Sequence, residues 1–253
     1  MLTRTLSLIH RLGPLHAFRL IAAKASNRVL LRTPRLSWSQ FGEDLVARDI
    51  LGLEKGYYVD VGCNHPEKWS NTYLFYVHGW NGLLVDANQD LVNACRRRRR
   101  LDVAECCLLG DEEGEGEIAI YDEHALSSAV SDHNVEKRGM ARLLETRRIR
   151  MTTLTRLLER NHAPLDIDFL SIDVEGMDLM VLRGLDMTRY RPKLIAVEDA
   201  SFEPSRPADS SVVEFLIGEG YRLYSHVHPT LFFLAPGVVS KGLHDPAAMS
   251  DPP

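Results

Sequence analysis

Tyr58-Val59-Asp60-Val61-Gly62-Cys63-Asn64 is the stretch from which the fold of this chain is read. Its apolar residues close on a carboxylate, and a single glycine then opens a polar turn. A buried strand that stops at a ligand-facing bend has this pattern, because glycine lets backbone approach whatever binds there. The sequence repeats the theme on both sides. Gly82 to Asp86, Val103 to Leu109, Phe169 to Asp173 and Leu194 to Glu198 are further short apolar runs, and three of these four end on an acid. Helical stretches, Asn71 to His78, Gln89 to Arg98 and Asp178 to Arg183, lie between them. Such alternation builds a mostly parallel sheet with helices on both faces. Tyr221 to Ser225 and Leu231 to Leu234 add a closing antiparallel pair, so the expected architecture is α/β and Rossmann-like with about seven strands.

Ligands of such a sheet bind at the carboxyl ends of the strands. The first turn holds one glycine where a dinucleotide site would show GxGxxG, and a pyrophosphate needs that glycine-rich helix start. An NAD-type oxidoreductase therefore loses its main physical support. An acid in the turn, Asp60, instead suits a donor with an ammonium and a sulfonium. Asp86 ends the second strand close to the spacing of about 20 residues expected for a carboxylate that accepts hydrogen bonds from both ribose hydroxyls. Together they read as a phosphate-free nucleoside site, with S-adenosylmethionine as cofactor and Asp60, Gly62, Asn64 and Asp86 around it. Asp173 and Glu175 at the mouth of one strand, with Glu198 at the end of a neighbour, place three acids on one rim. They could orient an acceptor, serve as general base, or share a magnesium ion with the acceptor hydroxyl, although no metal site is expected. The bland reading of Asp173 and Glu175 is N-capping of the next helix.

The chain has 253 residues, 45% hydrophobic and 26% charged, which suits one soluble globular domain. A net charge of -5 gives no reason to expect nucleic-acid binding. Seven basic residues precede the first acid, Glu43. Residues 1–36 thus read as a basic amphipathic extension with Leu8, Leu12, Leu15 and Phe18 at helical spacing. Such a segment suits peripheral contact with an anionic membrane, or packing on the domain. Residues 37–240 form the domain, and 241–253 read as a loose tail. Cys63, Cys95, Cys106 and Cys107 show no zinc-type spacing, and no apolar run reaches the roughly 18 residues of a membrane span. A cytoplasmic protein with reduced thiols is the expectation.

Several motifs in order resemble the FkbM family of methyltransferases. They are Ser39-Gln40-Phe41-Gly42-Glu43-Asp44, the Tyr58 to Gly62 turn, Ser70-Asn71-Thr72, Gly79-Trp80-Asn81-Gly82, Asp168 to Gly176 and Arg191-Pro192-Lys193. The resemblance covers about residues 38 to 200. It implies a class I methyltransferase fold, S-adenosylmethionine as donor, and usually O-methylation of sugars, glycolipids or other small natural products. Carried over, Asp60 and Gly62 resemble the donor turn, Asp86 the ribose acid, and Asp173 and Glu175 the acceptor-side acids. Asn64 with His65-Pro66 replaces a more glycine-rich continuation. The partner so implied is a small-molecule or glycan acceptor, and a non-catalytic nucleoside-binding protein is the reading from outside enzymology.

Lesser signals have plainer readings. Gln40 and Glu43 open a helix ahead of the first strand, either starting it or closing over the donor. Arg96 to Arg100 at a helix end complement its dipole and stay solvated. His65 reads as a pocket-wall or solvated residue rather than a base. Trp69 and Trp80 read as packing residues, with stacking on a sugar as the minority reading.

Overall fold

The structure, a computed structural model, describes residues 36–121, 128–129 and 143–241, with His10, Gly13, Pro14, Leu15, Ala17, Phe18, Ile21 and Ala22. Most of the basic extension and nearly all of the tail lie outside the described residues. Of the extension, Leu15 and Phe18 are exposed and Ala17 is buried.

The central strands of the sheet follow from runs that are mostly apolar, because a strand covered by helices on both faces has no solvent side to alternate with. Its strands are β1 (Tyr57–Val61), β2 (Asn81–Asp86), β3 (Val103–Cys106), β8 (Phe169–Ile172), β9 (Leu194–Glu198), β10 (Arg222–Val227) and β11 (Thr230–Leu234). Their order is β10-β11-β9-β8-β1-β2-β3. Neighbours pair in parallel except at β11, which runs antiparallel between β9 and β10. The expected architecture is thus observed.

Successive side chains of a strand point to opposite faces, and each face has its own core. Val59, Val61, Leu83, Val85, Leu170, Ile172, Ile195 and Val197 pack with α4 (Leu154–Arg160), α5 (Asp178–Arg183) and α6 (Ser211–Gly218). Tyr58, Leu84, Phe169, Leu194 and Ala196 pack with α1 (Glu43–Leu51), α2 (Tyr73–Val77) and α3 (Gln89–Arg98).

The run Val103 to Leu109, expected as one strand, is split. Cys107 donates its amide to the Asp86 carbonyl at 3.2 Å, and the chain passes into a second sheet. This sheet has the order β4-β7-β5-β6, from β4 (Leu108–Gly110), β5 (Gly114–Tyr121), β6 (Ser128–Ala129) and β7 (Leu143–Thr153). Its hydrophobic cluster is small, with Leu108 and Ile118 buried and Ile149, Met151 and Met177 against them.

Candidate active site

Val85, Val61, Ile172 and Val197 stand side by side in register across β2, β1, β8 and β9. The residues that follow them, Asp86, Gly62, Asp173 and Glu198, therefore form one row along the carboxyl rim. A cleft opens over this row, lined by Gln40, Gly62, Asn64, Asp86, Asp173 and Glu175, with Leu108 and Leu109 on one wall and Trp69 and Met177 also facing it.

Gly62 is required where it stands. It has φ 78°, and a Cβ there would come within 1.7 Å of the Asp173 carbonyl oxygen. The two strand ends can touch only without a side chain. Beside it, Asp86 accepts from the Asn64 amide at 2.9 Å and the Asn88 amide at 2.8 Å. Burial pushes its carboxyl up to about 6, against the pull of these amides. A carboxylate has about four acceptor positions, more than these amides fill, which leaves capacity for a ribose hydroxyl.

Asp173 is solvent-exposed at the cleft. The protein crowded around its carboxyl, with the negative charge and hydrogen bond of Glu198, pushes it above the ordinary carboxylate range. Oxygens of Asp173, Glu175 and Glu198 lie within 4.8 Å of one another, close enough to share a proton or flank one cation. The helix that follows, α5, has Met177 at its N-cap with no side-chain capping hydrogen bond, and another acid fixes the turn before it. Asp178 accepts from the Val174 amide at 3.2 Å and the Gly176 amide at 3.0 Å, which fixes the turn into α5. Burial pushes Asp178 up to about 6. Glu175 stands in that turn with a left-handed backbone, φ 57°.

Not every expected residue reaches the cleft. Asp60 is in register with Leu84 and Ser171, so the pleat turns it to the α1–α3 face. There it is buried, accepts from Thr72 Oγ1 at 2.5 Å, and stands 4.0 Å from Arg99 Nη1. Burial raises its carboxyl, and Arg99 and Thr72 oppose the rise. Asp60 thus braces the turn from behind and does not line the cleft. Glu43 is also buried. It accepts from the Phe41 amide at 2.7 Å at the start of α1, while Gln40 alone of that pair lines the cleft. Glu198 acts beside Asp173 without lining the cleft.

The arginine run needs correction too. Arg96, Arg97, Arg98 and Arg100 are exposed, but Arg99 is 1% exposed. It donates to Asp102 at 2.8 Å, Tyr58 Oη at 2.7 Å and Thr72 Oγ1 at 2.9 Å. Its guanidinium also lies over the Tyr58, Tyr73 and Tyr76 rings. A charge run carries no mark of which member turns inward, and the helix-to-strand turn after α3 decided it. His65 is exposed, and its Nδ1 accepts from the amides of Glu67 and Lys68 at 3.1 and 2.9 Å, so it holds a turn. Trp80 packs as expected, 4.7 Å from Phe75 between ring centroids. Trp69 is 45% exposed at the edge of the cleft, with the Lys68 ammonium over its ring.

Residues 60–223 match the family described as Methyltransferase FkbM domain, which is well over half of the chain. The chain belongs to the FkbM methyltransferase family. It is an S-adenosylmethionine-dependent methyltransferase by that membership, and its glycine-poor turn and ribose-type acid fit that donor. Among solved structures, the chain is similar to TrmK of M. capricolum in complex with S-adenosyl-homocysteine, at 11% identity and TM-score 0.41, covering 78% of this chain and 68% of that one. It is also similar to precorrin-6y C5,15-methyltransferase of Geobacter metallireducens, at 11% identity and TM-score 0.44, covering 80% and 90%. A third is Aeropyrum pernix fibrillarin with natively bound S-adenosyl-L-methionine, at 14% identity and TM-score 0.40, covering 78% and 74%. Likeness this distant concerns chain trace alone, and the family assignment rests on the sequence match. No curated protein matches the sequence significantly.

Proposed function

We propose that this FkbM-family methyltransferase transfers its methyl group to a hydroxyl of a saccharide, a glycolipid or a related small molecule. The observation that carries the reading is the meeting of Asp173, Glu175 and Glu198 on the cleft rim, their carboxylate oxygens within 4.8 Å of one another, a crowding that raises the proton affinity of Asp173. A hydroxyl oxygen becomes a useful nucleophile only as its proton is removed, and a base is most effective when its pKa nears the working pH. A carboxylate in its ordinary range would be too weak a base. The raised Asp173 is better matched, with Glu198 favouring the proton once it arrives.

The cleft fits the donor. Asp86 presents free acceptor positions at the end of β2, Gly62 leaves the turn without a side chain, and Leu108 and Leu109 give an apolar wall. When bound, S-adenosylmethionine supplies an electrophilic methyl on a sulfonium. The chain does the rest: Asp86 takes the ribose hydroxyls, Asp173 takes the acceptor proton, and Glu175 with Gln40 is placed to orient other polar groups of the acceptor.

The test is transfer from methyl-labelled S-adenosylmethionine into cell-derived glycans and glycolipids, followed by mass analysis of the products. The expected product carries the mass of one added CH2 as an ether that survives alkali. Label found only on amines, or no label in any glycan fraction, would sink the reading.

A further inference from the structure

We infer that Trp69 is the stacking platform for the acceptor, holding one sugar ring against its indole at the mouth of the cleft. The inference rests on the saccharide reading above and adds the residue that binds the sugar. Trp69 is 45% exposed and faces the cleft. Its backbone is left-handed, φ 59°, a region that a bulky side chain enters only when its surroundings impose it. Those surroundings are tight. The Ser70 amide donates to the Trp38 carbonyl at 3.1 Å, Asn71 Nδ2 donates to Ser171 Oγ at 3.1 Å, and Thr72 is clamped to Asp60. A partly exposed indole on so rigid a base at the edge of the cleft is placed to meet a ligand.

The geometry points to a sugar as that ligand. The Lys68 ammonium lies 3.7 Å from the ring centroid and covers one face, and among the described residues no aromatic ring stacks on it. A pyranose offers a flat C–H face to an aromatic plane while its edge carries hydroxyls. The cleft supplies partners for that edge in Gln40, Asn64, Asp173 and Glu175. Its loop is tied to β8 through Asn71 and Ser171 and to α3 through Glu67 and Arg98, so Trp69 stands beside the cleft within reach of the Asp173 end.

The experiment is saturation-transfer NMR on the full chain with S-adenosylhomocysteine present, using the methyl glycosides of glucose, mannose and galactose, for wild type, Trp69→Ala and Trp69→Phe. Calorimetry with S-adenosylhomocysteine runs beside it. At least one glycoside should receive saturation at its ring C–H protons. Trp69→Ala should weaken its binding by about fivefold or more, Trp69→Phe should recover most of it, and both should keep donor-product affinity within about twofold. If no glycoside binds wild type, the saccharide reading falls and takes the platform with it. If a glycoside binds wild type and Trp69→Ala equally, the platform alone is wrong. A drop of about tenfold in S-adenosylhomocysteine affinity with glycoside binding intact would assign the ring to the donor and overturn the inference.

Discussion

The Asp86 carboxylate, raised to about 6 by burial, makes binding and folding pull against each other. A carboxyl raised in the folded state contributes stability below its unfolded pKa of 3.8 and loses it as pH rises through about 6. Asp86→Asn does not titrate. Urea melts of the apo protein should therefore show the variant gaining on wild type between these pH values, by about 3 kcal/mol at the upper end. The same substitution should weaken S-adenosylhomocysteine binding by about tenfold or more in calorimetry, through the lost ribose acceptor. Asp173 gives a kinetic counterpart. Its kcat/KM should rise with pH over a range above that of ordinary carboxylates, and Glu198→Gln, by removing the negative neighbour, should move that rise to lower pH. Asp173→Asn should cost about 10²–10⁴ in kcat/KM. Asp86 and Asp173 were legible in the sequence because each is an acid at the end of an apolar run. Asp60 has the same signature, and only the pleat told it apart.

At the scale of elements, the turn after α3 carries a cation that the core cannot lose. Arg99 sits between Asp102 and Asp60 with its side chain fully buried. Arg99→Met would leave these carboxylates without their counter-charge and should cost about 3–5 kcal/mol in denaturant melts. Strands β1, β2, β8 and β9 were readable because burial on both faces demands runs that are mostly apolar. The second sheet was not, for the opposite reason. β7 carries Glu145, Arg147, Arg148 and Arg150, all exposed, and beside its backbone ladder to β5 only a short stretch, Ile149 and Met151, packs on the small second core. A hydrophobic pattern reports burial, and a strand with little of it leaves little trace.

For the whole molecule, a ligand that binds only the folded chain stabilises it by mass action. S-adenosylhomocysteine at about 100 times its Kd should add about 2.7 kcal/mol, read as a rise of about 5–11 °C in Tm. No such rise should occur with NAD. No helix among the described residues is long and apolar enough to cross a membrane. The sequence by itself determined the apolar strands, the acids that close them and the single glycine between, because these are local matters of burial and backbone freedom. Which acids share a rim was decided by the order in which strands lie side by side. β9, β8, β1 and β2 are distant in the chain and adjacent in the sheet, so long-range pairing alone set Glu198 beside Asp173, Asp173 over Gly62, and Asp86 on the far side of that glycine.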